Sequence, residues 1–153
     1  MNGGEGAKFD ALVEDFGLAA GMTFERDADG LWRIPAHGGE VTAYLAYREA
    51  SGQVVVFAPV EKLRPRRHAA ERARALLEAN AFWDGTNGFT LALDPDERLL
   101  VAMDRRAPGY FSSVGRLAGY VNALAELVVE LRFNLRHFDE AAEIAEELER
   151  KEN

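Results

Sequence analysis

Three histidines, His37, His68 and His137, are the side chains suited to acid–base or metal chemistry near neutral pH. They fall in a turn, at a helix start and at a helix end. None has a second His or a carboxylate at metal-ligand spacing on an apolar face, so each is expected to meet solvent. Ser51, Ser112 and Ser113 lie in no G-x-S-x-G elbow and read as turn or capping residues. The stretch Gly85-Thr86-Asn87-Gly88 resembles a phosphate loop only in its glycines: no Lys-Ser/Thr follows, and the order helix, turn, strand leaves no helix N-terminus to face an anion. Asp94, Asp96 and Glu97 lack the spacing of a calcium loop and read as a solvated hairpin turn. A rival enzymatic reading assembles these three with Arg105 near the strand ends.

Lys62, Arg64, Arg66, Arg67, Arg72 and Arg74 form the one basic cluster. No aromatic is interleaved to stack a base, and Glu61, Glu71 and Glu78 sit among the cations as helical partners, so a solvated helix face, or one that pairs with an acidic partner surface, is expected rather than a nucleic-acid site. The whole chain argues the same way. Its 153 residues carry 26 acidic and 18 basic side chains, a net charge of −8 that repels phosphate on average.

The chain is long enough for one domain with a real core and has no Cys, which removes disulfides, thiol nucleophiles and Cys-based metal sites. The start, MNGGEGAKFD, has neither a signal-peptide pattern nor a myristoyl acceptor, and the most apolar run, Val121 to Leu131, is broken by Asn122, Glu126 and Glu130. A cytoplasmic protein with no membrane insertion is therefore expected.

Those candidates hang on elements legible from periodicity. Phe9, Leu12, Val13 and Phe16 recur at helical spacing up to Gly17 or Gly21, which predicts a first helix. From Gly30 the period becomes two. Trp32 and Ile34, then Val41, Ala43, Leu45 and Tyr47, then Val54 to Phe57 ending before Pro59, predict three strands joined by short turns and therefore antiparallel. A second helix is predicted over His68–Ala81, two more strands around Phe89–Leu93 and Leu99–Met103, and a long third helix capped by Ser112 or Ser113 and faced by Leu117, Val121, Leu124, Val128, Leu131 and Leu135. The fold class is thus α+β, a single twisted antiparallel sheet of about five strands with three helices in the order α-β-β-β-α-β-β-α. Residues 1–138 form one domain. Residues 139–153, with a local net charge of −5 and only Ile144 and Leu148 as an apolar stripe, form an acidic tail that either continues the helix or frays.

The strands carry apolar side chains on both faces: Tyr44 and Ala46 opposite Leu45 and Tyr47, Val55 and Phe57 opposite Val54 and Val56. If the helices share one side, the other face needs a second subunit or an extended ligand; alternatively helices 1 and 3 cover both faces.

The segment LLEANAFWDGTNGFTLALDPDERLLVAMDRR and the opening FDALVEDFGLAAG resemble the class I type III secretion chaperones of the Tir-chaperone (CesT-like) family. The matching positions are Leu76, Leu77, Asn80, Phe82, Trp83, Gly85, Gly88, Leu91, Leu93 and Asp94, with Phe9 to Gly21 as the first helix. The resemblance spans roughly residues 7 to 136 and implies a cytosolic homodimer with no enzymatic activity and no cofactor. It implies that Leu76, Leu77, Phe82, Trp83, Phe89 and Leu91 build the dimer interface. It also implies that Phe9, Leu12, Val13, Trp32, Ile34, Val41, Ala43 and Leu45 line a groove for the N-terminal segment of a secreted effector, held extended, soluble and export-competent. A stand-alone adaptor or regulatory domain of the same fold is the alternative. The acidic tail after Phe138 departs from the family pattern and leaves open a role in partner release or in capping a groove.

Overall fold

The computed structural model describes residues 3–153. Helix α1 (Gly3–Ala19) ends where Gly17 lets the chain fold back: a Cβ there would stand 2.8 Å from the Met22 carbonyl oxygen. Six strands follow, β1 (Glu25–Arg26), β2 (Trp32–Ala36), β3 (Val41–Arg48), β4 (Gln53–Lys62), β5 (Thr90–Asp94) and β6 (Leu99–Arg106). Helix α2 (Ala69–Asn80) lies between β4 and β5, and α3 (Val114–Glu152) completes the chain. All neighbours pair antiparallel in the order β1-β2-β3-β4-β6-β5.

The sheet has one strand more than expected. Asp27 accepts the N–H groups of Asp29 and Leu31, and Gly30 takes the left-handed φ of 81°, so a tight turn folds Glu25–Arg26 back onto Trp32–Arg33. Two exposed polar residues offer no alternation to read. Strand β4 also passes through Pro59 instead of stopping before it, because the register shifts between Pro59 and Glu61. Helix α2 is shorter than predicted at both ends. His68 ahead of it is left-handed (φ 59°), and Ala81–Thr86 form a 3-10 segment in which Phe82 and Trp83 are also left-handed.

The core occupies one side of this sheet. Register rows such as Trp32, Leu45, Val56 and Ala58, Ala102, Leu91 point to it. Phe9 and Val13 of α1 and Leu117, Val121, Leu124, Val128, Leu131 and Leu135 of α3 close the same cluster. Ser113, with extended backbone, caps α3 by accepting the Arg116 N–H at 3.1 Å. The helix then runs unbroken to Glu152, although no residue beyond Leu135 is buried. The opposite row, Arg33, Tyr44, Phe57, Met103 and Thr90, carries no helix and is at least partly exposed.

Candidate partner-binding surfaces

Tyr44 and Phe57 are cross-strand partners whose rings stack at 5.0 Å on the uncovered sheet face. Val55 and Met103 lie beside them and run into a cleft walled by Trp83, whose indole N–H donates to Thr90 Oγ1 at 3.3 Å. In the segment that carries Trp83, Leu77, Phe82 and Trp83 are 68%, 86% and 55% exposed. Large apolar side chains this open beside an apolar sheet face mark a surface built for contact. The 3-10 turn that presents Phe82 and Trp83 depends on Gly85, where a Cβ would lie 2.8 Å from the Ala79 carbonyl oxygen.

The six residues assigned to a dimer interface therefore divide. Leu77, Phe82 and Trp83 are outward, Leu76 is half-buried against the core, and Phe89 and Leu91 are inside it. The groove residues divide more sharply. Phe9, Val13, Trp32, Ile34, Val41, Ala43 and Leu45 are all buried among themselves and the α3 stripe, so they form the floor of the domain instead of lining an open groove; Leu12 alone is partly exposed. Alternation identifies which positions face a core, but a core face and a ligand face carry the same residue types.

Asn80 has a function that its sequence position did not declare. Its side chain donates from Nδ2 to the Leu91 carbonyl at 3.1 Å and accepts the Leu91 N–H at Oδ1 at 2.9 Å. The amide thus stands in for a neighbouring strand at the β5 edge and blocks pairing there. At the other edge, β1 covers only Trp32 and Arg33, leaving Ile34–Ala36 without an outer partner.

The basic segment also reads differently. Arg72 is buried and is held by both Glu61 and Asp139, with its Nε 2.9 Å from Asp139 Oδ1 and its Nη2 3.1 Å from Glu61 Oε2. Burial opposes the charge, yet these hydrogen bonds hold the guanidinium pKa above its ordinary value. Arg66 reaches Asp139 at 2.9 Å, and Arg67 and His68 grip Glu146 at 2.8 and 2.7 Å, so Glu146 stays below the usual carboxylate range, chiefly through Arg67. The acidic partner surface of these cations is the chain's own C-terminal helix together with Glu61; of the three expected glutamate partners, Glu78 pairs with Arg74 at helical spacing and Glu61 pairs with Arg66 and Arg72 from β4. His68 is consequently not a free surface histidine.

Arg132 lies in the apolar run of α3, and its guanidinium donates to three backbone carbonyls: Val60 at 2.8 Å, Pro59 at 3.0 Å and Glu40 at 2.7 Å. It closes the irregularity that lets Pro59 sit inside β4. Nearer the start of α3, buried Tyr120 donates to Asp104 of β6 at 2.7 Å, and burial followed by that bond pushes its hydroxyl pKa up.

The rival enzymatic grouping does not assemble. Asp94 Oδ1 accepts the N–H groups of Asp96 and Glu97 as a turn cap, while Arg105 lies at the far end of β6, about 20 Å along the strand from the Asp94 partner Leu99. Among the described residues no group of three or more His, Cys, Asp or Glu is placed to hold a metal ion, and no helix is long and apolar enough to cross a membrane.

Comparison with known proteins fits this architecture. Residues 11–132 match the family described as the Tir chaperone protein (CesT) family. Among solved structures, a chain of the HopA1-SchA chaperone-effector complex superposes with a TM-score of 0.64 at 19% identity, covering 81% of this chain and 92% of that one. A chain of the ExsC-ExsE complex gives a TM-score of 0.70 at 13% identity, covering 85% and 95%. At those identities the likeness is one of fold. A search of curated protein sequences finds no match.

Proposed function

This chain belongs to the Tir chaperone protein (CesT) family and is a type III secretion chaperone that binds effector proteins, and we propose that it does so as a homodimer holding the N-terminal segment of its effector extended. The observation that carries the dimer is the uncovered sheet face, where Tyr44 stacks on Phe57 and Val55 and Met103 share a cleft with the exposed Trp83, with Leu77 and Phe82 exposed in the same segment of chain. A second copy seated there would remove that apolar area from water, at roughly 25 cal/mol per Å².

An extended effector segment needs free main-chain donors and acceptors plus shallow apolar footholds. Asn80 occupies the β5 edge at Leu91 and Pro35 gives the β2 edge no N–H to donate, which favours the surface of α1, where Leu12 and Phe16 are partly exposed and Leu18 is 77% exposed. The buried residues Phe9, Val13, Trp32, Ile34, Val41, Ala43 and Leu45 then act as the rigid platform under that surface. Ordering such a segment costs on the order of 2–5 kcal/mol, so contacts must extend over a large area. The chaperone itself need supply no chemistry, in keeping with a soluble cytoplasmic role.

Light scattering tests the dimer: a mass near 34 kDa, about twice the 16.9 kDa chain, is expected, and a monomer across micromolar concentrations would refute it. Hydrogen exchange on the complex with an effector's N-terminal segment tests the binding mode. New protection along α1 is expected; protection confined to β5 would overturn the assignment.

A further inference from the structure

The 3-10 turn Pro108–Tyr110 that leads toward α3 separates two clefts. One, of about 380 Å³, is lined by Phe9 and Leu12 of α1 with Pro108 and Phe111, and its charged groups, Glu5 and Lys8, are of opposite sign. The other, of about 350 Å³, is lined by Asp104 and Arg106 of β6, by Tyr110, and by Arg116 and Tyr120 of α3. Arg106 and Arg116 both stack on the Tyr110 ring, 4.7 and 4.5 Å from its centroid, so their guanidinium carbons stand no more than about 9 Å apart. That span suits one carboxylate held between two planar forks. The cleft's own carboxylate is already taken. Asp104 Oδ2 accepts from Arg106 Nε at 2.8 Å and from the Tyr120 hydroxyl at 2.7 Å, and its Oδ1 accepts the Arg105 N–H at 2.8 Å. Among the described residues the exposed Arg116 makes no ion pair, the Tyr110 hydroxyl makes no hydrogen bond, and the first turn of α3 holds no acidic residue. A second cation beside Arg106 and at a helix start is electrostatically disfavoured, and nothing within the chain offsets it.

We propose that Arg106, Arg116 and the Tyr110 hydroxyl form a carboxylate site whose occupant is an acidic side chain of the effector segment, an inference that rests on that segment's course along α1. The Phe9 and Phe111 ring centroids are 6.0 Å apart and those of Phe111 and Tyr110 are 5.3 Å apart, so the α1 cleft and the site lie within about 11 Å of each other. An extended chain covers that span in three or four residues at about 3.3 Å each. The pair of clefts therefore selects a segment with an apolar residue at α1 and Asp or Glu three or four positions from it.

The probe is the peptide acetyl-Leu-Ser-Ser-Asp-Ser-amide, titrated into the full-length protein by NMR beside the same peptide with Asn in place of Asp and beside inorganic phosphate. Binding of the Asp peptide on the order of tenfold tighter than the Asn peptide is expected, with shifts at the Arg116 Nε–H and the Tyr110 ring, and the preference should shrink as salt is raised. Arg116→Gln keeps helix propensity and breaks no ion pair, and it should bring the ratio of the two affinities close to one. Arg116→Lys, which keeps the charge and loses the fork, should retain part of the preference. Equal or absent binding of the two peptides, or a preference untouched in Arg116→Gln, would overturn the proposal. So would phosphate shifting the same signals where the Asp peptide does not, which would make this a site for free anions. The affinity ratio reports this site, whereas the exchange pattern along α1 reports the effector reading. A ratio of one beside protection along α1 would discard the site and leave that reading standing.

Discussion

Arg132 and Asn80 show how single polar side chains hold irregular backbone in place. Three charge-assisted bonds from Arg132 satisfy carbonyls at the β4 irregularity and at Glu40. Arg132→Met should therefore cost about 1–3 kcal/mol, read as a lower urea midpoint with an unchanged denaturant slope. Asn80→Asp keeps an acceptor for the Leu91 N–H but sets a carboxylate against the Leu91 carbonyl in place of the donating Nδ2. Faster hydrogen exchange at Leu91 and a loss of about 1–3 kcal/mol are expected, with the β5 edge opened to pairing. Both residues are plain in the sequence, yet neither role is. An Arg amid an apolar run and an Asn before a turn have many ordinary explanations, and their partners lie 72 and 11 positions away.

At the scale of elements, the periodic ones were readable and the aperiodic ones were not. Leu117 to Leu135 announce α3, and the alternation through Val41–Tyr47 announces β3, because burial on one face imposes a period. Strand β1 has no such period, and Pro59 misled because a shifted register accommodates it. The acidic tail was undecidable from composition: its helix is held by partners at Arg66, Arg67, His68 and Arg72, remote in sequence. Glu146 has a depressed folded pKa, so its contribution to the tail is present above its ordinary value of 4.5 and is lost as pH falls through the lower folded value. Amide protection factors across residues 140–152, taken against intrinsic exchange at each pH, should fall over that acid range. Glu146→Gln should already exchange faster at neutral pH and show a smaller change on acidification.

For the whole molecule, the distinction between core and binding surface decides what a substitution does. Leu45→Ala should cost about 2–5 kcal/mol of stability with effector affinity preserved in the folded fraction, since Leu45 is fully buried. Leu77→Ala/Trp83→Ala should leave the monomer's Tm nearly unchanged and weaken the dimer, measured by light scattering on dilution. Undiminished self-association would assign the uncovered face to another partner. By itself the sequence determined the α+β class, the helix and strand faces, the acidic balance and the family resemblance, because each follows from local periodicity, composition or short motifs. Only the tertiary structure decided which apolar face meets α3 and which stays open, that Asn80 closes one sheet edge, and that the basic segment is answered by the chain's own tail. Those outcomes depend on contacts between residues far apart in the chain, and side-chain type at one position does not encode which distant surface it will meet.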